Sequence, residues 1–378
     1  MLITNTKLNV GIDAKWFFEG PPSGNMVVKN LVNELILNNN DRFNLFLLIT
    51  SKYRKQAMEY FPASVKLISL ANLPNLVSNL FLIPIAALRY NLSVVLFQNF
   101  SSTWPGKLYK IAYIHDVLFL DHPEYYTKPE LLYFKQMKRS ALTANSIIAI
   151  SESEKKRLIG NGIANDKGIN VVYHGINDDF KPVSYYAEDA VYNVINKYEL
   201  PCSYLLFVGR VNIRKNLVNL VKALNYLDDK KIPLLIVGEK NNLYADLKKY
   251  ITDEKLSDRI MFTGHVPEKD LQLIYACATV FCFPSFAEGF GLPPLEAMKC
   301  GVPVATSNRT AMPEICGDAA VYFEPDNPCD IAHKINALLN DPVLYNDKIK
   351  KGLYRAANFV WSKSAQQILT LIEKANVN

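Results

Sequence analysis

A chain of 378 residues, 49% hydrophobic and 21% charged, can bury two ordinary cores, which excludes bulk disorder. Its net charge of +6, from 42 Lys and Arg against 36 Asp and Glu, contains no run of five like charges. This excludes nucleic acid as the expected partner and fits an anionic small ligand or an anionic membrane surface. The six cysteines, from Cys202 to Cys329, form no C-x-x-C pair, so ordinary zinc spacing is excluded and reduced thiols in a cytoplasmic setting are expected.

In chain order, the opening MLITNTKLNVGIDAKW has no basic stretch followed by an apolar one, so no secretory signal is expected. Leu8–Ile12 reads as a strand. The loop Pro21-Pro22-Ser23-Gly24-Asn25 follows, then a helix over Val27–Leu37 with apolar residues at helical spacing. Asn44–Ile49 is a second strand. The apolar stretch from Leu73 to Phe97 is interrupted by Asn75, Asn79, Pro84, Arg89 and Asn91, so it falls short of the roughly 18 apolar residues that span a bilayer. It reads as a buried helix with a flanking strand, a membrane-surface helix being the alternative. Strands follow at Ser93–Phe97, Ile111–Ile114, Ile147–Ile150 and Asn170–Tyr173, with helices over Leu131–Thr143 and from Ser151 onward.

Residues 177–201 carry several Asp and Pro with weak strand character and read as a linker region holding one helix, Asp189–Tyr198. A second alternation begins with strand Tyr204–Val208 and helix Leu217–Leu227. It continues through strand Pro233–Val237, helix Leu243–Ile251, strand Ile260–Phe262, helix Leu271–Ala276, strand Val280–Phe283 and helix Pro293–Cys300. Strands Val302–Thr306 and Ala320–Phe323 and helix Pro328–Leu339 complete it, and a last helix spans Ser362–Lys374. The pattern predicts two Rossmann-like, doubly wound parallel-sheet α/β domains facing a cleft, each binding ligands beyond the carboxyl ends of its strands. The expected boundaries are 1–182, a linker at 183–200, a second domain at 201–356, and a C-terminal helix at 357–378 packing back on the first domain.

The sharpest motif is Phe283-Pro-Ser-Phe-Ala-Glu288-Gly289-Phe290-Gly291-Leu292-Pro293-Pro294-Leu-Glu296-Ala-Met-Lys-Cys-Gly301. A strand ends, two glycines allow close ligand approach, proline opens a helix and Gly301 closes it. The loop and helix start offer amides and a positive dipole end to an anion such as phosphate. Glu288, and Glu296 expected in the first helical turn, can accept hydrogen bonds from sugar hydroxyls. A second block, Val208-Gly209-Arg210-Val-Asn-Ile-Arg214-Lys215-Asn216, places three cations where a diphosphate would need neutralising. A third, Tyr113-Ile-His115-Asp116, ends a strand with a histidine able to position or protonate a reacting group. The glycine pattern at Gly289 and Gly291 runs into prolines, so the dinucleotide fingerprint fails.

The tract EGFGLPPLEAM, with Glu288 and Glu296 separated by seven residues, resembles the retaining glycosyltransferases of family 4, the GT-B group also called glycosyl transferases group 1. The resemblance implies a bacterial mannosyl- or glucosyltransferase-like hexosyltransferase. Its donor would be a UDP- or GDP-linked sugar and its acceptor a saccharide or lipid-linked chain, in surface polysaccharide biosynthesis. Residue by residue it implies that Glu288 and His115 meet the transferred sugar and that Glu296 holds the ribose. It implies that Arg210 and Lys215 clamp the diphosphate, approached also by Gly24 and by the amides of Phe290, Gly291 and Leu292. The first domain would take the acceptor and any peripheral contact with the inner membrane face, and the second the donor. The chain has no Asp-x-Asp pair, so no metal and no other cofactor is expected. Glu288→Ala is expected to cripple transfer with little loss of fold. A nucleotide-sugar epimerase of the same fold and a non-catalytic sugar-nucleotide-binding module are the alternatives.

Overall fold

The computed structural model describes residues 7–164, 168–238 and 245–375. It divides into two units, one running up to Gly175 and resuming at Val360, the other Ile176–Phe359.

The first unit carries seven strands: β1 (Asn9–Asp13), β2 (Asn44–Thr50), β3 (Lys66–Leu70), β4 (Val94–Gln98), β5 (Tyr109–Ile114), β6 (Ser146–Ala149) and β7 (Ile169–Val171). They form one parallel sheet in the order β3-β2-β1-β4-β5-β6-β7. Helices cover both faces, so the inner strands read as unbroken apolar runs such as Asn44-Leu-Phe-Leu-Leu-Ile-Thr50. The edge strand β3 is absent from the sequence reading. Its Lys66-Leu-Ile-Ser-Leu70 alternates exposure instead of running apolar, as an edge strand can.

The second unit has β8 (Leu205–Val208), β9 (Leu234–Val237), β10 (Ile260–Phe262), β11 (Val280–Phe283), β12 (Val304–Ser307) and β13 (Ala320–Phe323). Their order is β10-β9-β8-β11-β12-β13, again all parallel. Each sheet therefore reverses its winding between its first and fourth strands, and that switch point is where such sheets take ligands.

Several sequence expectations shift. Residues 183–200 belong to the second unit, where Glu188–Tyr198 is a helix packed on the helix Glu268–Ala276, so they are not a free linker. The first helix starts at Pro22, not Val27, which puts Gly24 inside its first turn. The helix expected from Leu243 is described from Ala245 onward; Leu243 and Tyr244 lie outside the described residues, as do residues 1–6. A further helix, Pro342–Ala356, is not predicted from the sequence, and it fully buries only Gly352 and Ala356. Its start is set by Asp341, whose carboxylate accepts from the Val343 and Leu344 amides. The helix Trp361–Lys374 buries Trp361, Ala365, Ile368, Leu369 and Ile372 within the first unit, next to the helix Pro22–Leu37. Arg42 reaches its Glu373 at 3.0 Å.

Candidate active site

In the second unit, β8 and β11 are neighbours at the switch point, and each runs into one of the motif loops. Asn216 ties these loops together. It sits at φ 55°, a left-handed conformation that asparagine tolerates. Its buried amide nitrogen donates to the Pro284 carbonyl at 3.0 Å and the Pro325 carbonyl at 2.7 Å. The Phe286 amide then donates to the Arg214 carbonyl at 2.9 Å, and Arg214 Nη1 donates to the Ala287 carbonyl at 2.6 Å.

This stitching delivers Glu288 between two cations. Its Oε1 lies 2.7 Å from Arg214 Nη1 and 2.8 Å from Lys215 Nζ. Its amide donates to Thr310 Oγ1 at 2.9 Å. Burial alone would push the carboxyl up, but Arg214 and Lys215 outweigh it and hold Glu288 at about 2, so it is ionised. Lys215 is lowered by its own burial, against the pull of Glu288, and its ammonium lies 4.4 Å from the Phe283 ring centre. Arg214 is the partner that sequence reasoning missed. The sequence places it among three cations without giving it a partner, and the fold turns its guanidinium onto the Glu288 loop. Arg210 is exposed at the end of β8, close enough to Lys215 to act on its charge.

Gly291 caps the helix Leu292–Lys299 at φ 115°, and a β-carbon there would collide with the Met312 side chain, so only glycine fits. Pro293 and Pro294 have no N–H, which leaves Gly291 and Leu292 as the amides leading into the first turn. The Phe290 side chain is buried against the Phe359 ring, 5.8 Å between centres, so any approach to a ligand falls to its main chain. Glu296 is not in the first turn, where the sequence expects it, because the helix opens at Leu292. It accepts from Tyr275 Oη at 2.9 Å and has no ion pair among the described residues. Burial, with Glu268 nearby, pushes its carboxyl up to about 7 against the opposing Tyr275 bond and the charge of Lys215.

In the first unit, His115 follows β5 beside the end of β4. Its amide donates to Asn99 Oδ1 at 3.0 Å, and its Nε2 lies 2.9 Å from Gln98 Oε1. Burial pushes the ring down to about 4, so it is neutral near pH 7. Gln98 holds the ring, and Asp116 Oδ1 accepts the Leu118 amide. Trp16 stands 5.6 Å from His115, and the missing β-carbon of Gly24 would come within 3.0 Å of the Trp16 ring. The structure thus gathers Gly24 and His115 around one tryptophan that the sequence did not single out. His174 adds to this group: its ring lies 6.3 Å from His115, and its Nδ1 shares a hydrogen bond with Tyr113 Oη at 3.0 Å.

Residues 197–355 match the family model described as glycosyl transferases group 1. The O-antigen chain mannosyltransferase B of Escherichia coli is 31% identical over 266 residues, 68% of this chain and 68% of that protein. The serotype-specific mannosyltransferase WbdA of Escherichia coli is 29% identical over 68% of this chain, which there spans only 32% of the relative's length. Among solved structures, a sucrose-phosphate synthase from Thermosynechococcus elongatus superposes with a TM-score of 0.76 at 18% identity, covering 98% of this chain and 100% of the other. Anabaena HepE, solved with UDP and glucose, gives 0.71 at 17% identity over 97% and 100%. The twin switch-point sheets, the glycine-capped helix and these likenesses agree: the chain belongs to the glycosyl transferases group 1 family and is a glycosyltransferase of the GT-B fold.

Proposed function

We propose that this glycosyltransferase moves a hexose, most simply mannose, from a nucleotide-diphosphate sugar to a saccharide or lipid-linked acceptor during assembly of a surface polysaccharide. The observation that carries the donor reading is the Arg214–Glu288–Lys215 cluster beside the Gly291-capped helix. Two cations against one carboxylate leave an excess positive charge where helix amides also point, and a diphosphate fits that excess. The arriving phosphates compete with Glu288 for Arg214 and Lys215, which frees the carboxylate to accept from hydroxyls of the hexose. Glu296 takes the ribose hydroxyls, and Arg210 closes on the diphosphate from solvent. The mannose reading comes from the named relatives alone.

Reaction with retention follows from the family resemblance: the acceptor hydroxyl attacks on the face the diphosphate leaves, and a departing phosphate oxygen takes its proton. His115 contacts the sugar as a neutral imidazole that orients it. The cationic cluster takes the place of a divalent ion, so transfer after exhaustive chelation is expected to persist, and its loss would refute metal independence. The defining experiment incubates the protein with GDP- and UDP-linked mannose, glucose and galactose and follows free nucleotide diphosphate by chromatography. Slow release from one donor, accelerated by an acceptor, is expected. Tight binding of a donor without release over days would instead identify a binding module.

A further inference from the structure

The turn that follows β12 holds its chain in a conformation that its own sequence resists. Eight non-glycine residues have positive φ among those described, and seven of them are Asn, Asp, Glu or Lys. The eighth is Thr310, at φ 54°. A side chain branched at its β-carbon crowds the backbone in the left-handed region, where glycine or asparagine would rest easily. Such strain persists only where the surrounding structure enforces it.

The enforcement comes from both sides. Arg309 Nη2 pairs with Glu324 at 3.2 Å and with Asp326. Between those two acids, the Pro325 carbonyl accepts from Asn216, the same amide that reaches Pro284 at the start of the Glu288 loop. The Thr310 hydroxyl closes the ring. Its Oγ1 donates to the Arg309 carbonyl at 2.8 Å and accepts the Glu288 amide at 2.9 Å. A hydroxyl has a single proton, so giving it to Arg309 turns the oxygen's lone pairs toward Glu288. Glycine would relax this turn but has no hydroxyl to offer. The strain therefore accompanies a hydrogen bond to the main chain of the residue whose carboxylate lies between Arg214 and Lys215.

We infer that Thr310 is a positioning residue for Glu288: its hydroxyl fixes the Glu288 main chain and so sets where the carboxylate meets the transferred sugar. Thr310 acts only through Glu288, so this role rests on the donor reading of that carboxylate. When a diphosphate draws Arg214 and Lys215 away, Glu288 loses both side-chain partners. The bond from its amide to Thr310 is untouched by that exchange and holds the residue while its carboxylate is free. The tether therefore acts on the chemical step more than on donor capture.

Three variants separate the hydroxyl from the strain. Thr310→Val keeps the branched shape and removes the hydroxyl, Thr310→Gly removes both, and Thr310→Ser keeps the hydroxyl. Each is compared with the parent in release of GDP from GDP-mannose, in thermal melts and in hydrogen exchange at the Glu288 amide. Thr310→Val and Thr310→Gly should both lose about tenfold or more in kcat with little change in KM, and Thr310→Ser should recover most of that loss. The Glu288 amide should exchange about tenfold faster in the two variants that lack the hydroxyl. The melts should divide differently, with Thr310→Gly above Thr310→Val because it is relieved of the strain. Rates that follow the melting temperatures, or a Thr310→Ser no faster than Thr310→Val, overturn the inference. So does a Glu288 amide whose exchange ignores the hydroxyl. Glu288→Ala tells the two failures apart. If it still releases GDP at the parent rate, the donor reading falls. If it is inactive while Thr310→Val keeps the parent kcat, the tether alone falls.

Discussion

Glu296 separates a ligand-binding carboxylate from a structural one by the sign of a single measurement. Its folded-state carboxyl is raised from an ordinary 4.5 to about 7, chiefly by burial. For an acid raised on folding, stability is fully present below the unfolded value and is lost as pH climbs to the folded one, here between 4.5 and about 7. At about 1.4 kcal/mol per unit, ionised Glu296 costs the fold at most about 3 kcal/mol at pH 8, a ceiling because the side chain keeps some contact with water. Glu296→Gln keeps the size and the bond from Tyr275 and removes the charge. The variant should match the parent in thermal melts at pH 5 and exceed it at pH 8, by up to about 6–12 °C for a unit of this size. The same variant should lose the stabilisation that added nucleotide gives the parent, and the parent's nucleotide affinity should rise between pH 6 and 8 as the carboxylate forms. A variant that melts lower than the parent at pH 8, as a net stabilising carboxylate charge at Glu296 predicts, would refute the reasoning.

Glu288→Ala leaves Arg214 and Lys215 without their buried counter-charge. It should abolish transfer and also destabilise the fold by about 3 kcal/mol in urea melts, which revises the sequence expectation of little structural loss. Glu288→Gln, which keeps the shape, should lose transfer with a smaller change in stability. Exposed Arg210 and paired Lys215 should behave differently. Arg210→Ala weakens nucleotide binding in calorimetry with an unchanged melt, whereas Lys215→Ala lowers both, and an unchanged affinity in both variants would defeat the cationic assignment. Carbon-labelled His115, followed by NMR, should show no titration between pH 6 and 8, because burial holds its ring near 4; a midpoint above 6 would restore it as a candidate acid.

Much of the fold was legible because parallel strands buried on both faces are written as short apolar runs. Strands such as Val94–Gln98 and Val280–Phe283 lie within a residue of where the sequence places them. The misses follow from the same rule. Lys66–Leu70 is an edge strand and alternates, and Pro342–Ala356 is a helix whose exposed side outweighs its buried one. Glu188–Tyr198 was found as a helix but assigned to a linker, since no local signal states which core a helix joins. In the candidate site, residue types and spacing single out Glu288, Glu296, Lys215 and the glycine at 291, whose contacts and φ the structure gives. The Arg214 bond to the Ala287 carbonyl, the Gln98 grip on His115 and Trp16 beside Gly24 are contacts between separate stretches of chain, and no local pattern encodes them.

The charge count of the second-unit cluster gives a further reason for its form. An isolated buried arginine and lysine would repel one another and lower the affinity of each for a proton, so Glu288 makes the empty site tolerable. With Glu288 ionised the cluster carries one net positive charge, and the helix end adds roughly half of another. A diphosphate brings at least two negative charges, so the cluster alone leaves the ligand under-neutralised, and Arg210 is the exposed cation nearby that can make up the difference. On this reading the cation placed in solvent is as much a part of the donor site as the two held under cover. Its exposure is what lets the empty site avoid storing a third like charge.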